Sequence, residues 1–386
     1  MLKRVQHDGI GLYGIAMTNQ LYIRPIALAE SPQSEEGETV RLAGGLVYAS
    51  RFALILRRNG QVTARQRLAV PDVDDALARL PDALAAEGQA QWAALKKNHA
   101  PFQCGERTIR LDQPQVMGIL NVTPDSFSDG GRFLDDPDAA NAHAATMLEA
   151  GAGLIDVGGE STRPGAAAVW EGDELKRVVP AIERLAASGA AISIDTRRAA
   201  VMEAALAAGA HVINDVSALR HDPRSLELAM RSGAPVVLMH APGEADDLHA
   251  DGDYRDVVLD VFDWLKARRD AALAAGIAQE KIILDPGIGF GKSVVQNLVL
   301  INALPLFHAL GQPLLIGASR KRMIGALSSE APAHQRLGGS LMLAAKAMEA
   351  GVQLLRVHDV PETMQAVRVW RGLRDAALTD FAQLPR

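Results

Sequence analysis

The segment Ala200–Ser217, AVMEAALAAGAHVINDVS, decides how the rest of the chain is read. Its first part is rich in Ala and Leu and carries apolar residues at helical spacing. Gly209 follows, where a left-handed helix cap favours a residue without a Cβ. Next comes a short apolar run, HVINDVS, that ends in Asn214 and Asp215. Helix, glycine, strand and polar strand end together make one β/α unit.

The same unit recurs on both sides. From about residue 115 the runs VMGILN, GLIDVGG, AAISIDT, HVINDVS, PVVLMH, KIILDPG, PLLIGAS and LLRVHD follow one another. They are rich in Ile, Val and Leu and alternate poorly, as strands buried on both faces do. Helical segments between them end in glycine at 151, 189, 209, 233, 276, 311 and 351. Eight such units predict an α/β fold, a (β/α)8 TIM barrel; an open doubly wound sheet is the alternative. A barrel puts its chemistry at the C-terminal strand ends. Those ends carry Asn121, Asp156, Asp195 with Thr196, Asn214 with Asp215, His240, Asp285, Ser319 to Lys321, and Arg356, His358 and Asp359. Polar loops are ordinary. Carboxylates within or at the end of apolar runs, such as Asp195 and Asp285, need a partner or a ligand.

The first hundred residues differ. LYIRPIAL, GGLVYASRFALILRRNG and QVTARQRLAV predict strands, with RNGQ a hairpin turn. The stretch after them reads as helix interrupted near Pro81 and Gly88. We expect a small α+β extension over 1–100 and a barrel over 101–386, joined near 98–105, with ERTIRL a strand closing the barrel bottom. The extension carries no motif tied to chemistry, and a packing appendage is the expected role; an interaction or dimerisation module is the alternative.

Composition narrows the function. The 386 residues are 48% hydrophobic with a formal net charge of −6, which disfavours a nucleic-acid binder driven by bulk charge. One cysteine, Cys104, forbids an internal disulfide and fits a cytoplasmic protein. No signal peptide or membrane-spanning run is read. DPGIGFGKS resembles both a P-loop and a dinucleotide fingerprint, yet each spacing is off by one residue. There is no H-E-x-x-H, paired C-x-x-C or G-x-S-x-G. His211 reads as a structural histidine.

Taken together, the strand ends offer carboxylates and an amide on one side: Asp195, Asn214 and Asp285. They can pair with the N–H and amino groups of a heterocycle. On the other side stand Arg320, Lys321, Arg356 and His358, from the last two strands, where this fold often holds phosphate. The motifs MGILNVTPDSFSDGG (Met117–Gly131), DVGGESTRPGA, SIDT, INDV, LMH, LDPGIGFGK, GASRKRMIG and RVHDV occur in the order seen in the dihydropteroate synthases. Over roughly Gln113–Trp370 the chain resembles that family.

The resemblance implies condensation of 6-hydroxymethyl-7,8-dihydropterin diphosphate with p-aminobenzoate by a dissociative, Mg2+-assisted route, in a homodimer. It places Asp195, Asn214, Met239, Asp285 and Lys321 around the pterin. It places Asn121, Arg356 and His358 at the diphosphate and Mg2+, with Asn121 the metal ligand. Thr162, Arg163 and Pro164 lie in a loop over the substrates, and Phe290, Lys321 and Arg322 near p-aminobenzoate. Phe127, the one aromatic of its polar loop, is expected to cover the p-aminobenzoate ring. The catalytic group is then Asp195, Lys321, Arg356 and His358. Ile288, Ala241 and Arg322 depart from common family residues, a matter of substrate and sulfonamide affinity. A corrinoid-dependent methyltransferase would share the pterin side but have no use for a diphosphate site. An inactive paralogue would not need Lys321, Arg356 and His358.

Overall fold

A computed structural model describes residues 19–29, 38–123, 137–161, 169–243 and 247–379. Phe127, Thr162, Arg163 and Pro164 lie outside them, so the expectations placed on these four are not addressed by it.

The extension consists of strands β1 (Asn19–Ala29), β2 (Val40–Arg41), β3 (Tyr48–Arg58) and β4 (Gln61–Ala69), then helices α1 (Val73–Ala78) and α2 (Asp82–Leu95). β3 pairs antiparallel with β1, β2 and β4. The RNGQ turn forms as expected, with Asn59 and Gly60 both at positive φ (51° and 76°), the two-residue turn that suits a twisted hairpin. The helix breaks at Pro81 as expected. It does not break at Gly88, which is buried inside α2, where an added Cβ would lie 2.4 Å from Leu77. Close packing, not a turn, explains that glycine. Gln91 on α2 accepts from Ile23 N (2.9 Å) and donates to Leu21 O (2.6 Å), pairing backbone groups of edge strand β1.

A hairpin, β5 (Phe102–Cys104) with β6 (Arg107–Ile109), leads into the barrel. The barrel then runs β7 (Gln115–Asn121), α3 (Pro137–Ala150), β8 (Leu154–Gly158), α4 (Glu171–Ala187), β9 (Ile192–Asp195), α5 (Ala199–Ala207), β10 (Val212–Asp215), α6 (Ser225–Ser232), β11 (Val236–Met239), α7 (Val257–Ala274), β12 (Ile282–Asp285), α8 (Val294–Asn302), β13 (Leu315–Ile316), α9 (Arg322–Leu327), α10 (Leu337–Glu349), β14 (Leu354–Val357) and α11 (Val360–Leu378). The eight strands are parallel and neighbour one another in sequence order, with β14 beside β7. A parallel bridge between Leu284 and Leu314 joins the two remaining edges. That closure decides for the barrel over the open sheet. All seven glycines before the strands have positive φ, from 63° to 113°.

At the bottom, Met117, Leu154, Ala191, Val212, Val237, Ile283, Leu315 and Leu354 form one buried layer with Phe102, Cys104, Ile109 and Leu111. The β5–β6 hairpin therefore plugs the N-terminal end of the barrel, the position foreseen for ERTIRL. Burial raises the Cys104 thiol to about 12, which leaves it inert. Phe102→Ala should destabilise the chain by about 3–5 kcal/mol, the usual result of emptying a buried aromatic site. Chemical denaturation with unchanged m-value is the check.

The extension shares the barrel's core. Tyr22 meets Phe262 edge-on at 5.4 Å between centroids, and Phe262 in turn contacts Phe307 at 6.1 Å. No described helix is long and apolar enough to cross a membrane.

Candidate active site

The polar strand ends gather at the barrel mouth, where Asp156, Asp195, Asn214, His240 and Asp285 are buried and Asn121, Lys321, Arg356 and His358 partly so, because a parallel strand carries its last side chains into the space the loops enclose. The densest contact joins three of them. Arg356 at the end of β14 donates from Nε to Asp156 Oδ2 (2.6 Å) and from Nη2 to Asp195 Oδ2 (2.6 Å). Asn214 Nδ2 donates to the same Asp156 oxygen at 3.1 Å. Burial opposes the charge on Arg356, but Asp156 and Asp195 more than offset it and hold the guanidinium above the usual arginine range. Asp195 shows the opposite balance. Burial pushes its carboxyl up to about 7, although Arg356 pulls it down. The side chain of Asp156 is inaccessible to solvent, and its Oδ1 has no partner among the described residues. A buried acceptor of that kind calls for a donor from a ligand or water.

Asn121, at the end of β7, lies in the same cluster. A Cβ built on Gly158 would be 3.6 Å from Asn121 Oδ1 and 3.7 Å from Asp195 Oδ2, so the two side chains border one glycine.

Asp285 ends β12 and enters the DPGIGFGK loop. Its Oδ1 accepts from Gly287 N at 2.7 Å. Burial raises its carboxyl to about 6, opposed by that hydrogen bond and by Lys321, Lys292 and Arg356. Gly287 (φ 70°) must lack a side chain, since a Cβ would sit 1.9 Å from His240 O. We expect Gly287→Ala to lose about 3 kcal/mol or more of stability, from strain and overpacking together; thermal and urea unfolding measure it. Lys321, the residue before α9, extends past Gly289 and places Nζ 4.2 Å from the centre of the Phe290 ring. On the same ring stacks His249, 5.0 Å away and 12° from parallel. Met239 is buried with Val216, Ala241, Leu248 and Phe290 in one apolar cluster. The Ala241 departure therefore falls in this apolar cluster. Ile288 is buried in the main core, and Arg322 is exposed on α9.

His358 is oriented by Ser319, whose Oγ accepts from His358 N (3.2 Å) and contacts Nδ1 (3.1 Å). Arg320, read from sequence as part of the cationic side, instead holds Asp359, donating from Nε at 3.0 Å and again from Nη2. Its backbone φ is 56°, and Arg336 donates to its carbonyl. It shapes the loop. Asp215 is likewise structural, accepting from Ser217 N, Ser217 Oγ and Leu219 N.

Two groups escaped the sequence reading. Lys292, set aside with the failed P-loop, places Nζ 2.8 Å from Gly287 O, 3.0 Å from Phe290 O and 3.0 Å from His240 Nδ1. Burial lowers it to about 7 and pushes His240 well below its usual range. As an ammonium, Lys292 would donate to all three atoms; as an amine, it would donate to the carbonyls and accept from the ring. It ties the glycine loop together in either form. The second is a clamp behind Asp195. Thr196 Oγ1 donates to Glu174 (2.7 Å), Arg198 bridges Glu174 and Glu160, and Arg198 Nη2 donates to Val169 O (2.7 Å).

The arrangement offers carboxylates and an amide for a polar heterocycle, but Arg356 stands among the carboxylates rather than on the opposite side expected from sequence. Comparison with known proteins bears on the family. A profile for pterin binding enzymes matches residues 117–358. The dihydropteroate synthase of Neisseria meningitidis serogroup B is 46% identical over 276 residues, 70% of this chain and 97% of that one. A Xanthomonas albilineans dihydropteroate synthase solved with 4-aminobenzoic acid superposes with a TM-score of 0.66 at 46% identity, covering 75% of this chain and all of the other. The Burkholderia cenocepacia dihydropteroate synthase complexed with 7,8-dihydropteroate gives 0.66 at 42% identity, covering 72% and 98%. The extension stands outside the profile match, and from Met117 onward the chain belongs to the dihydropteroate synthase family of pterin-binding enzymes.

Proposed function

We propose that this chain is a dihydropteroate synthase. It transfers the pterin-methyl group from 6-hydroxymethyl-7,8-dihydropterin diphosphate to the amine of p-aminobenzoate, giving 7,8-dihydropteroate and diphosphate. The observation that carries the reading is the buried Asp156–Arg356–Asp195 cluster with Asn214, set beside Asp285 and Lys321 at neighbouring strand ends. Asp285, Asn214 and the unpartnered Asp156 Oδ1 supply acceptors and a donor for the ring of a 2-amino-4-oxo pterin. The relatives described above are dihydropteroate synthases, not corrinoid methyltransferases. Lys321, Arg356 and His358, all present, argue against an inactive paralogue.

The mechanism is dissociative. As the C–O bond to diphosphate breaks, positive charge develops on the methylene and spreads into the pterin. Ionised Asp195 stabilises it electrostatically. Arg356 favours the ionised form of Asp195 against burial, and with His358 it would receive the departing anion. Lys321, over Phe290, holds the ring side. The neutral aniline nitrogen then bonds to the methylene and gives up a proton. No protein nucleophile is needed.

Among the described residues no three His, Cys, Asp or Glu side chains gather as a metal cage. The hard amide oxygen of Asn121, which borders Gly158 together with Asp195, suits Mg2+ and would be the residue that holds it. Mg2+ bound there would neutralise leaving-group charge.

Exposed Val295 and Val299 on α8, Leu327 on α9 and Met342 on α10 suit the homodimer reading. Light scattering should give twice the 41.1 kDa chain mass. The single buried thiol fits a reducing cytoplasm.

Calorimetric titration tests the pterin site. The dihydropterin diphosphate should bind the native chain, and Asp285→Asn should bind it about a hundredfold more weakly, as the loss of a charged hydrogen-bond partner implies. Equal affinities would remove Asp285 from the site.

A further inference from the structure

We infer that the N-terminal extension braces the wall of the p-aminobenzoate pocket, through the loop between β11 and α7. The inference rests on the synthase reading for its link to substrate. It rests on the structure for the brace itself.

The extension docks on α7 by an unusually polar contact. Arg57 on β3 is buried and donates to both Asp260 and Asp263 on α7. Asp263 also accepts from Tyr22 Oη (2.8 Å) and Gln20 Nε2 (2.8 Å). A buried arginine held by two carboxylates gives little net stability, but it fixes geometry. Here it fixes the start of α7. Asp260 turns its second oxygen to the chain entering that helix, accepting from Arg255 N (2.9 Å) and Asp256 N (3.0 Å).

The hairpin tip adds a second hold. Arg255 Nη1 donates to Asn59 O at 3.2 Å, and its side chain lies so close on Gly60 that a Cβ there would meet Nη1 at 2.6 Å. The β3–β4 turn thus grips the last residues of the loop.

The stretch just before those residues, His249 to Gly252, forms pocket wall. Gly252 N donates to Gly291 O at 3.2 Å, and a Cβ on Gly291 would be 2.3 Å from Ala250 O. Gly291 adjoins Phe290, whose ring is stacked by His249 from the same loop and approached by Lys321. From Asn59 to Phe290 every step is a hydrogen bond, a short stretch of chain or a ring contact. Arg57, Asp260 and Arg255 are positioning residues in this account. None of them touches substrate.

The test uses the full-length chain and two variants, Asp260→Asn and the exposed Arg255→Ala. Hydrogen–deuterium exchange reads the brace without any substrate. Amides of residues 247–256 should exchange faster in both variants, while those of β3 and β9 stay as they were. Steady-state kinetics read the link. KM for p-aminobenzoate should rise about tenfold in Asp260→Asn, with KM for the dihydropterin diphosphate unchanged. Unaltered exchange in 247–256 overturns the brace. Faster exchange with no change in KM for p-aminobenzoate overturns its link to the pocket. So would equal loss in both KM values together with a lower unfolding midpoint, which marks a general structural defect. A native chain that makes no dihydropteroate would defeat the synthase reading instead, and the exchange result would still decide the brace.

Discussion

Lys321→Ala lowers kcat/KM by about a thousandfold while the chain stays folded, on the scale of removing one preorganised charge from a transition state. The loss follows from position. Lys321 stands at the N-terminal end of α9 with Nζ over Phe290, and Gly289 leaves room for its stem. No other described cation shares that contact with the ring. Its charge also helps hold Asp285 ionised against burial, so the alanine variant should raise the Asp285 carboxyl still further above about 6. Circular dichroism and the unfolding midpoint should stay close to those of the native chain, because this lysine is only partly buried. A variant with near-native turnover would contradict the site.

Asp195→Asn is the second large effect, a loss of about 10²–10³ in kcat, because the neutral amide no longer stabilises the developing cation. A pH signature separates it from simple damage. Burial pushes Asp195 up to about 7, so kcat/KM of the native chain should climb with pH through that region and then level off. The Asn variant should lack that limb. The sign for stability is opposite. Asp195 is raised in the folded state only, so the folded chain binds the extra proton between the ordinary carboxylate range and about 7. Its contribution to stability is lost as pH rises through that window. Relative to the native chain, Asp195→Asn should therefore gain stability from about pH 4 to 7. Stability curves that stay parallel across this range would rule out the raised carboxyl.

The barrel was legible because its signal is local and repeated. Gly209 before HVINDVS speaks for one joint, and six further glycines in the same place make closure the simplest outcome. The acidic strand ends were legible for a related reason: a carboxylate such as Asp195 at the end of an apolar run has to be accounted for. Partnership was harder to read. Asp156 was visible as one strand end among many, and nothing nearby in sequence pairs it with Arg356, 200 residues away. Only closing β14 against β7, with β8 alongside, brings them together. Lys292 was misleading because its glycine-rich surroundings suggest phosphate binding, whereas its contacts are two carbonyls and His240. Arg320 is the reverse case, a cation beside the site that is committed to Asp359. The docking of the extension on α7 was invisible from sequence because Arg57, Asp260 and Asp263 look like ordinary surface charges until strand and helix are brought together.

The central claim is that this barrel joins a dihydropterin to p-aminobenzoate. Its most direct test is the purified full-length chain with Mg2+, the dihydropterin diphosphate and p-aminobenzoate, followed by mass spectrometry for 7,8-dihydropteroate and by diphosphate release. The account predicts both products in equal amounts, with dihydropteroate forming only when both substrates are present. No dihydropteroate, under conditions where a known synthase makes it, would contradict the account.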